Sequence, residues 1–190
     1  MTDGSLEEAF AAVDRASFLL PRDRSDADYD GPISIGHAQT NSQPRTVYAM
    51  LELLDVRPGQ KVLDVGSGSC WTTALLAQLV GSSGSVLGVE LVPDLAKWGA
   101  ENLAGQDTPW ASIRAADPDI LGIPAEAPFD RILVSAAARL LPDELVEQLT
   151  DAGVMVVPVG STMTRVQRTG PDRSDVDITT HGSYSFVPLL

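Results

Sequence analysis

Apolar positions recur at helical spacing near the N-terminus, where Leu6, Phe10, Val13 and Ala16 predict a helix over residues 5–17 with Ser5 as its cap. The pattern then dissolves. From Phe18 to Gln43, Pro, Gly, Asp and Ser dominate without a period. So long an irregular stretch in a compact domain usually shapes a site or a lid. Pro44 suits the first turn of a helix that turns Val47, Leu51 and Leu54 inward and ends at Arg57-Pro58-Gly59.

Beyond this point strand and helix patterns alternate. Lys61–Val65 reads as a buried strand, Trp71–Val80 as a helix, Ser85–Glu90 as a second strand and Pro93–Leu103 as a second helix. Ser112–Ala115 and Asp130–Ser135 predict two more strands, Pro142–Thr150 a helix and Val154–Val159 a fifth strand. Thr164–Arg168 and Tyr184–Val187 predict a final pair joined by the polar stretch 169–182. Such alternation forces right-handed crossovers and a sheet covered on both faces. The expected fold is α/β: a doubly wound, mostly parallel, seven-stranded sheet with an antiparallel pair at its C-terminal edge.

Composition narrows the function. A length of 190 residues suits one domain, and 44% hydrophobic residues exclude a disordered chain. A formal charge of −13 repels phosphate backbones and anionic lipid, so neither nucleic acid nor a membrane is an expected partner. One cysteine, Cys70, excludes a disulfide framework, and His37 and His181 stand too far apart in sequence to suggest a metal site. No apolar run reaches the ~18 residues of a membrane span, and residues 1–8 lack a signal-peptide pattern. A cytoplasmic location is therefore expected.

The chemistry concentrates where the first strand runs into Gly66-Ser67-Gly68-Ser69-Cys70 and then a helix. Glycines there let the backbone approach a ligand closely. Glu90 ends the next strand, where a carboxylate can accept both hydroxyls of a ribose. A nucleoside-bearing cofactor follows. The dinucleotide fingerprint wants a further glycine where Trp71 stands, and Asp64 beside the loop would repel a pyrophosphate. Asp64 suits the cationic amino-acid moiety of S-adenosylmethionine, or could fix the loop through its amides. Asp117, after the third strand, could accept from an adenine amino group; the other reading is a turn residue in Ala-Asp-Pro-Asp.

Nearly the whole chain resembles the protein-L-isoaspartate O-methyltransferases. The likeness runs through Val13, Arg15, Phe18, Pro21, Tyr29-Asp30 and Pro32. Its most specific part is the segment from Ile35 to Pro44, which looks like the family's Gly-x-x-Thr-Ile-Ser-x-Pro. Lys61–Ser69, Ala127–Asp130, Val157–Gly160 and Phe186–Leu189 resemble further family motifs. The resemblance implies the Rossmann-like methyltransferase fold and S-adenosyl-L-methionine as cofactor, with S-adenosyl-L-homocysteine as product. It implies repair of damaged proteins, by methylation of the free carboxylate of L-isoaspartyl residues in a protein or peptide partner. On this resemblance Ser42 is the catalytic residue, and Thr40, Asn41, Ser42 and Pro44 contact substrate. Cofactor contacts fall to Asp64, Gly66, Ser67, Gly68, Glu90 and Asp117; no metal and a monomer are expected. Residues 1–57 would form a substrate slot, 58–160 the cofactor-binding core and 161–190 the edge strands of a single domain.

Several positions depart from the family pattern. Cys70-Trp71 replaces Gly-Tyr in the loop, Ala116-Asp117-Pro118 replaces Gly-Asp-Gly, and Asn41 replaces the isoleucine before the serine. Family members usually continue beyond the position of Leu190. Two alternatives therefore stay open: a methyltransferase tailoring one dedicated peptide, and a cofactor-binding protein of decayed activity.

Overall fold

The computed structural model describes residues 3–172 and 174–189. Helix α1 (Asp3–Ala12) is followed by a 3₁₀ turn at Arg15–Phe18 and another at Pro21–Asp26. A hairpin, β1 (Ile33–Gly36) and β2 (Gln39–Asn41), leads into α2 (Pro44–Leu54). The alternating part comprises β3 (Lys61–Val65), α3 (Trp71–Val80), β4 (Ser85–Glu90), α4 (Pro93–Ala104) and β5 (Ala111–Ala115). It continues with β6 (Phe129–Val134), the single turn α5 (Asp143–Val146) and β7 (Leu149–Val159), before β8 (Thr162–Arg168) and β9 (Val176–Ser183).

Sheet order is β5-β4-β3-β6-β7-β8-β9, with the first five strands mutually parallel and β8 and β9 antiparallel. The strand period of two divides the core into two layers. Val62 and Val86 face one layer with Leu51, Leu54, Leu75 and Leu76 from the helices, whereas Leu63 and Leu87 face another with Ile132, Leu145 and Met155. Helix α3 is buried at every position but Gln78, which is what a helix apolar all round requires. The seven-stranded, mostly parallel sheet with an antiparallel C-terminal edge is the fold the alternation predicts.

Four local expectations change. The N-terminal helix begins at Asp3, which puts Ser5 inside it, and it ends at Ala12 because Asp14 starts a separate 3₁₀ turn by accepting from the Ala16 amide. The stretch expected to be irregular contains the β1–β2 hairpin, whose turn places His37 and Ala38 at φ of 52° and 57°. The helix expected over 142–150 stops at Val146, because Leu149 already pairs with Phe129 at the start of β7. Finally, β8 pairs with Val176–Ser183, all but its last residue within the expected polar connector, and Tyr184–Val187 is not a strand. That last segment instead passes along the carboxyl end of the sheet to the loop after β6, where the Ala137 amide donates to the Val187 carbonyl and the Leu189 amide to the Ala137 carbonyl.

Candidate active site

The chain leaves β3 to build β4 and β5 on one side and returns to build β6 on the other. Ligands of doubly wound sheets bind at this reversal, outside the carboxyl ends of the strands. A cavity of about 660 Å³ opens there, lined by the loops after β3, β4, β5 and β6, the β2 segment and residues 187–189. Its size is that of a small-molecule site.

The loop after β3 is fixed from below. The amides of Gly66 and Ser67 and the Ser67 hydroxyl all donate to the Val89 carbonyl, at 2.9, 3.1 and 3.1 Å. Gly66 has φ of +74°, with no neighbouring atom nearer than 3.9 Å to where a Cβ would stand, so the conformation rather than crowding demands glycine. Gly68 has φ of +53°. Glu90 is 6% exposed, with one oxygen accepting from the Gly68 amide at 2.8 Å and the other from the Val92 amide at 2.9 Å. A carboxylate offers about four acceptor positions. Two are taken, and Glu90 brings the remainder to the cavity wall.

Asp64 does not line the cavity. It is wholly buried under the loop, where one oxygen accepts from the Thr72 and Thr73 hydroxyls, both at 2.7 Å, and Oδ1 has no partner among the described residues. Burial pushes its carboxyl up to about 6, against the two hydroxyls that favour the anion. Among the described residues no loop amide donates to Asp64, whose carboxylate fastens the first turn of α3. Cys70, at φ of +71°, precedes that turn and is completely buried. Burial pushes its thiol up to about 12, so it is a packed side chain. Its sulfur lies 2.8 Å from where a Cβ on Gly99 would stand, so glycine is what lets α4 approach the loop.

Asp117 is a turn residue at the cavity wall, where its Oδ1 accepts from the Asp119 amide at 3.0 Å. Thr40, Asn41 and Ser42 line the opposite wall, but Pro44 does not, because its ring forms the first position of α2. Ser42 is half-buried and its hydroxyl has no partner among the described residues.

The residue that organises this wall is Arg15, which sequence reasoning included only as part of a resemblance. Arg15 is 6% exposed, and its guanidinium donates to the carbonyls of Ala27 (3.1 Å), Tyr29 (2.7 Å), Gly31 (2.8 Å) and Ser42 (3.0 Å) and to Asn41 Oδ1 (2.8 Å). It also stacks on the Trp71 ring at 5.2 Å. Burial lowers its pKa, partly offset by Asp30. The signal available in the sequence was a single arginine ahead of a long irregular stretch rich in carbonyls needing donors. Among the described residues no group of three His, Cys, Asp or Glu could hold a metal ion, and no helix is long and apolar enough to cross a membrane.

Comparison with known proteins agrees with this geometry. The family model "Protein-L-isoaspartate(D-aspartate) O-methyltransferase" matches residues 1–190. The protein-L-isoaspartate O-methyltransferase of Aeropyrum pernix is 41% identical over 199 residues, spanning 100% of this chain and 74% of its own. That of Methanopyrus kandleri is 42% identical over 190 residues, covering 96% of this chain and 82% of its own. A Plasmodium falciparum chain solved with S-adenosyl-L-homocysteine superposes with a TM-score of 0.83 at 24% identity, over 100% of this chain and 92% of that one, and so shares the fold.

Proposed function

This chain belongs to the protein-L-isoaspartate(D-aspartate) O-methyltransferase family, and on that premise we propose how its cavity methylates the free carboxylate of L-isoaspartyl residues with S-adenosylmethionine. The cavity fits that cofactor. Its wall carries a buried carboxylate with acceptor positions to spare, glycine backbone at positive φ, and an excess of acids that suits a cation. When bound, the cofactor supplies a methyl group on a positively charged sulfur.

The chain's own residues then have limited work. A carboxylate of reference pKa ~3.9 is ionised at pH 7, so no residue has to remove a proton. Ser42 donates its hydroxyl to one carboxylate oxygen and holds the other in line with the methyl group. Glu90 accepts from the ribose hydroxyls, Gly66, Ser67 and Gly68 give close backbone approach, and Asp117 offers its second oxygen to the adenine amino group. Thr40 and Asn41 border the peptide. Positioning and exclusion of water supply the acceleration.

Residues 1–57 serve as the slot, 58–160 as the cofactor-binding core and 161–190 as edge strands of one domain. The substrate is an isoaspartyl protein or peptide, the protein acts as a monomer, and nucleic acid and membranes have no part in the reaction. A cytoplasmic location suits a chain with one cysteine, and a buried one.

One observation carries this reading: an unpartnered Ser42 hydroxyl shares a cavity with Glu90. The test supplies S-adenosylmethionine with matched isoaspartyl and aspartyl peptides of several unrelated sequences, and follows the methanol released by the ester. Transfer to the isoaspartyl peptides alone is expected. Transfer to one sequence only would favour a tailoring enzyme, and tight cofactor binding without transfer a decayed one; either would overturn the repair reading.

A further inference from the structure

We propose that Arg139 is a specificity residue that pairs with a carboxylate of the bound peptide, an inference that rests on the reading above. Among the described residues lining the cavity, Glu90, Asp117, Asp119, Asp143 and Glu144 are acids and Arg139 is the one base. This distribution suits a cationic methyl donor and opposes its acceptor, an anion entering a chain of net charge −13. Asp143 and Glu144, at the start of α5, stand on the same rim as Arg139 and lower the local potential further. A diffuse positive field therefore cannot attract the substrate there. A fixed donor can.

Arg139 is built for that role. The residues before it are pinned: the Ala138 amide donates to the Pro158 carbonyl at 2.9 Å, the Gly160 amide donates to the Ala138 carbonyl at 2.8 Å, and Ala137 is bonded to Val187 and Leu189. The guanidinium itself is exposed and engages no acceptor among the described residues. Its planar fork matches a carboxylate in two parallel hydrogen bonds. Beside it Leu140 is 80% exposed, and Ile120, which also lines the cavity, is 47% exposed, two of the few large apolar side chains that face solvent. An anionic group at Arg139 flanked by apolar contacts describes a peptide bearing a carboxylate.

The carboxylate could be the reacting one or the side chain of an acidic neighbour, and one experiment separates them. Wild type, Arg139→Gln and Arg139→Lys, each saturated with S-adenosylhomocysteine, are titrated calorimetrically with isoaspartyl peptides having neutral or acidic neighbours, and with an aspartyl control. Because the group is exposed and screened, Arg139→Gln should weaken binding about three- to tenfold, with the difference fading near ~0.5 M salt. Arg139→Lys should recover most of the loss, and S-adenosylhomocysteine affinity should not move. Equal loss for both isoaspartyl peptides identifies the reacting carboxylate; loss confined to the acidic peptide identifies the neighbour. Unchanged peptide binding, or a parallel loss of S-adenosylhomocysteine affinity, overturns the proposal. Wild type that fails to prefer isoaspartyl over aspartyl peptide overturns the proposed function and the role of Arg139 with it.

Discussion

Arg15 donates from Nε to the side-chain oxygen of Asn41 at 2.8 Å, across 26 positions of sequence. Asn41 extends the connection, donating from Nδ2 to the Ser69 hydroxyl at 3.3 Å. The wall carrying Ser42 is thereby tied to the loop carrying Gly66 and Gly68. Where the family pattern has isoleucine, this chain has a polar bridge.

Arg15→Ala leaves several carbonyls without their donor and should destabilise the protein by about 2–4 kcal/mol. Arg15→Lys keeps the charge but not the fork, and should recover only part of this. Denaturant midpoints measure the stability. In enzyme that stays folded at low temperature, KM for peptide should rise more than S-adenosylmethionine affinity falls; equal changes would contradict a positioning role.

Glu90→Ala removes the proposed partner of the ribose and also the acceptor of the Gly68 amide. Loss of charge-assisted hydrogen bonds should weaken S-adenosylmethionine by roughly 1.5–3 kcal/mol, about tenfold or more. Calorimetric titration reads this directly, and an unchanged affinity removes Glu90 from the site.

Ser42→Ala should lower methyl transfer at saturating cofactor by about a hundredfold, the scale of a lost transition-state donor. S-adenosylmethionine affinity and melting temperature should stay close to wild type, because the hydroxyl supports nothing else among the described residues. Equal rates for the two proteins would leave Ser42 as a residue that merely leads into α2.

Asp64 makes stability depend on pH. Its folded-state pKa, about 6, lies above the reference value of 3.8, so between these limits the folded protein binds the extra proton. Its contribution is complete below pH ~4 and is lost as pH rises through ~6, amounting to roughly 2–3 kcal/mol. Asp64→Asn keeps an acceptor for Thr72 and Thr73 without the charge. The difference in urea stability between this variant and wild type should therefore grow in the variant's favour from pH 4 to pH 7. A constant difference would mean that Asp64 does not titrate in this window.

Legibility in the sequence followed burial. Lys61–Val65, Trp71–Val80 and Ser85–Glu90 match their expected limits because buried strands and an all-apolar helix show their character residue by residue. The β1–β2 hairpin was hidden because His37 and Ala38, rather than glycines, occupy its left-handed turn. The last strand was misplaced because β9 is half in solvent and needs no apolar face, whereas Phe186 and Val187 are apolar because they pack, Phe186 against the core and Val187 along the cavity wall. At the site, Glu90 and the glycines announce themselves by position at strand ends. Asp64 reads from the sequence only as an acid beside the loop, because the two threonines that donate to it become visible only once α3 is folded. Arg15 stayed obscure because its partners are mostly main-chain carbonyls, which carry no sequence signal.

The antiparallel margin of the sheet bears on how the protein behaves in bulk. Among the described residues nothing pairs with the outer side of β9, and Ile178 there is 50% exposed. An open strand is a template for another copy. What keeps copies apart at neutral pH is their mutual repulsion as polyanions, and this vanishes near the isoelectric point of about 4.3. The acid range that favours a protonated Asp64 is thus also the range in which the protein loses the colloidal protection of this open strand.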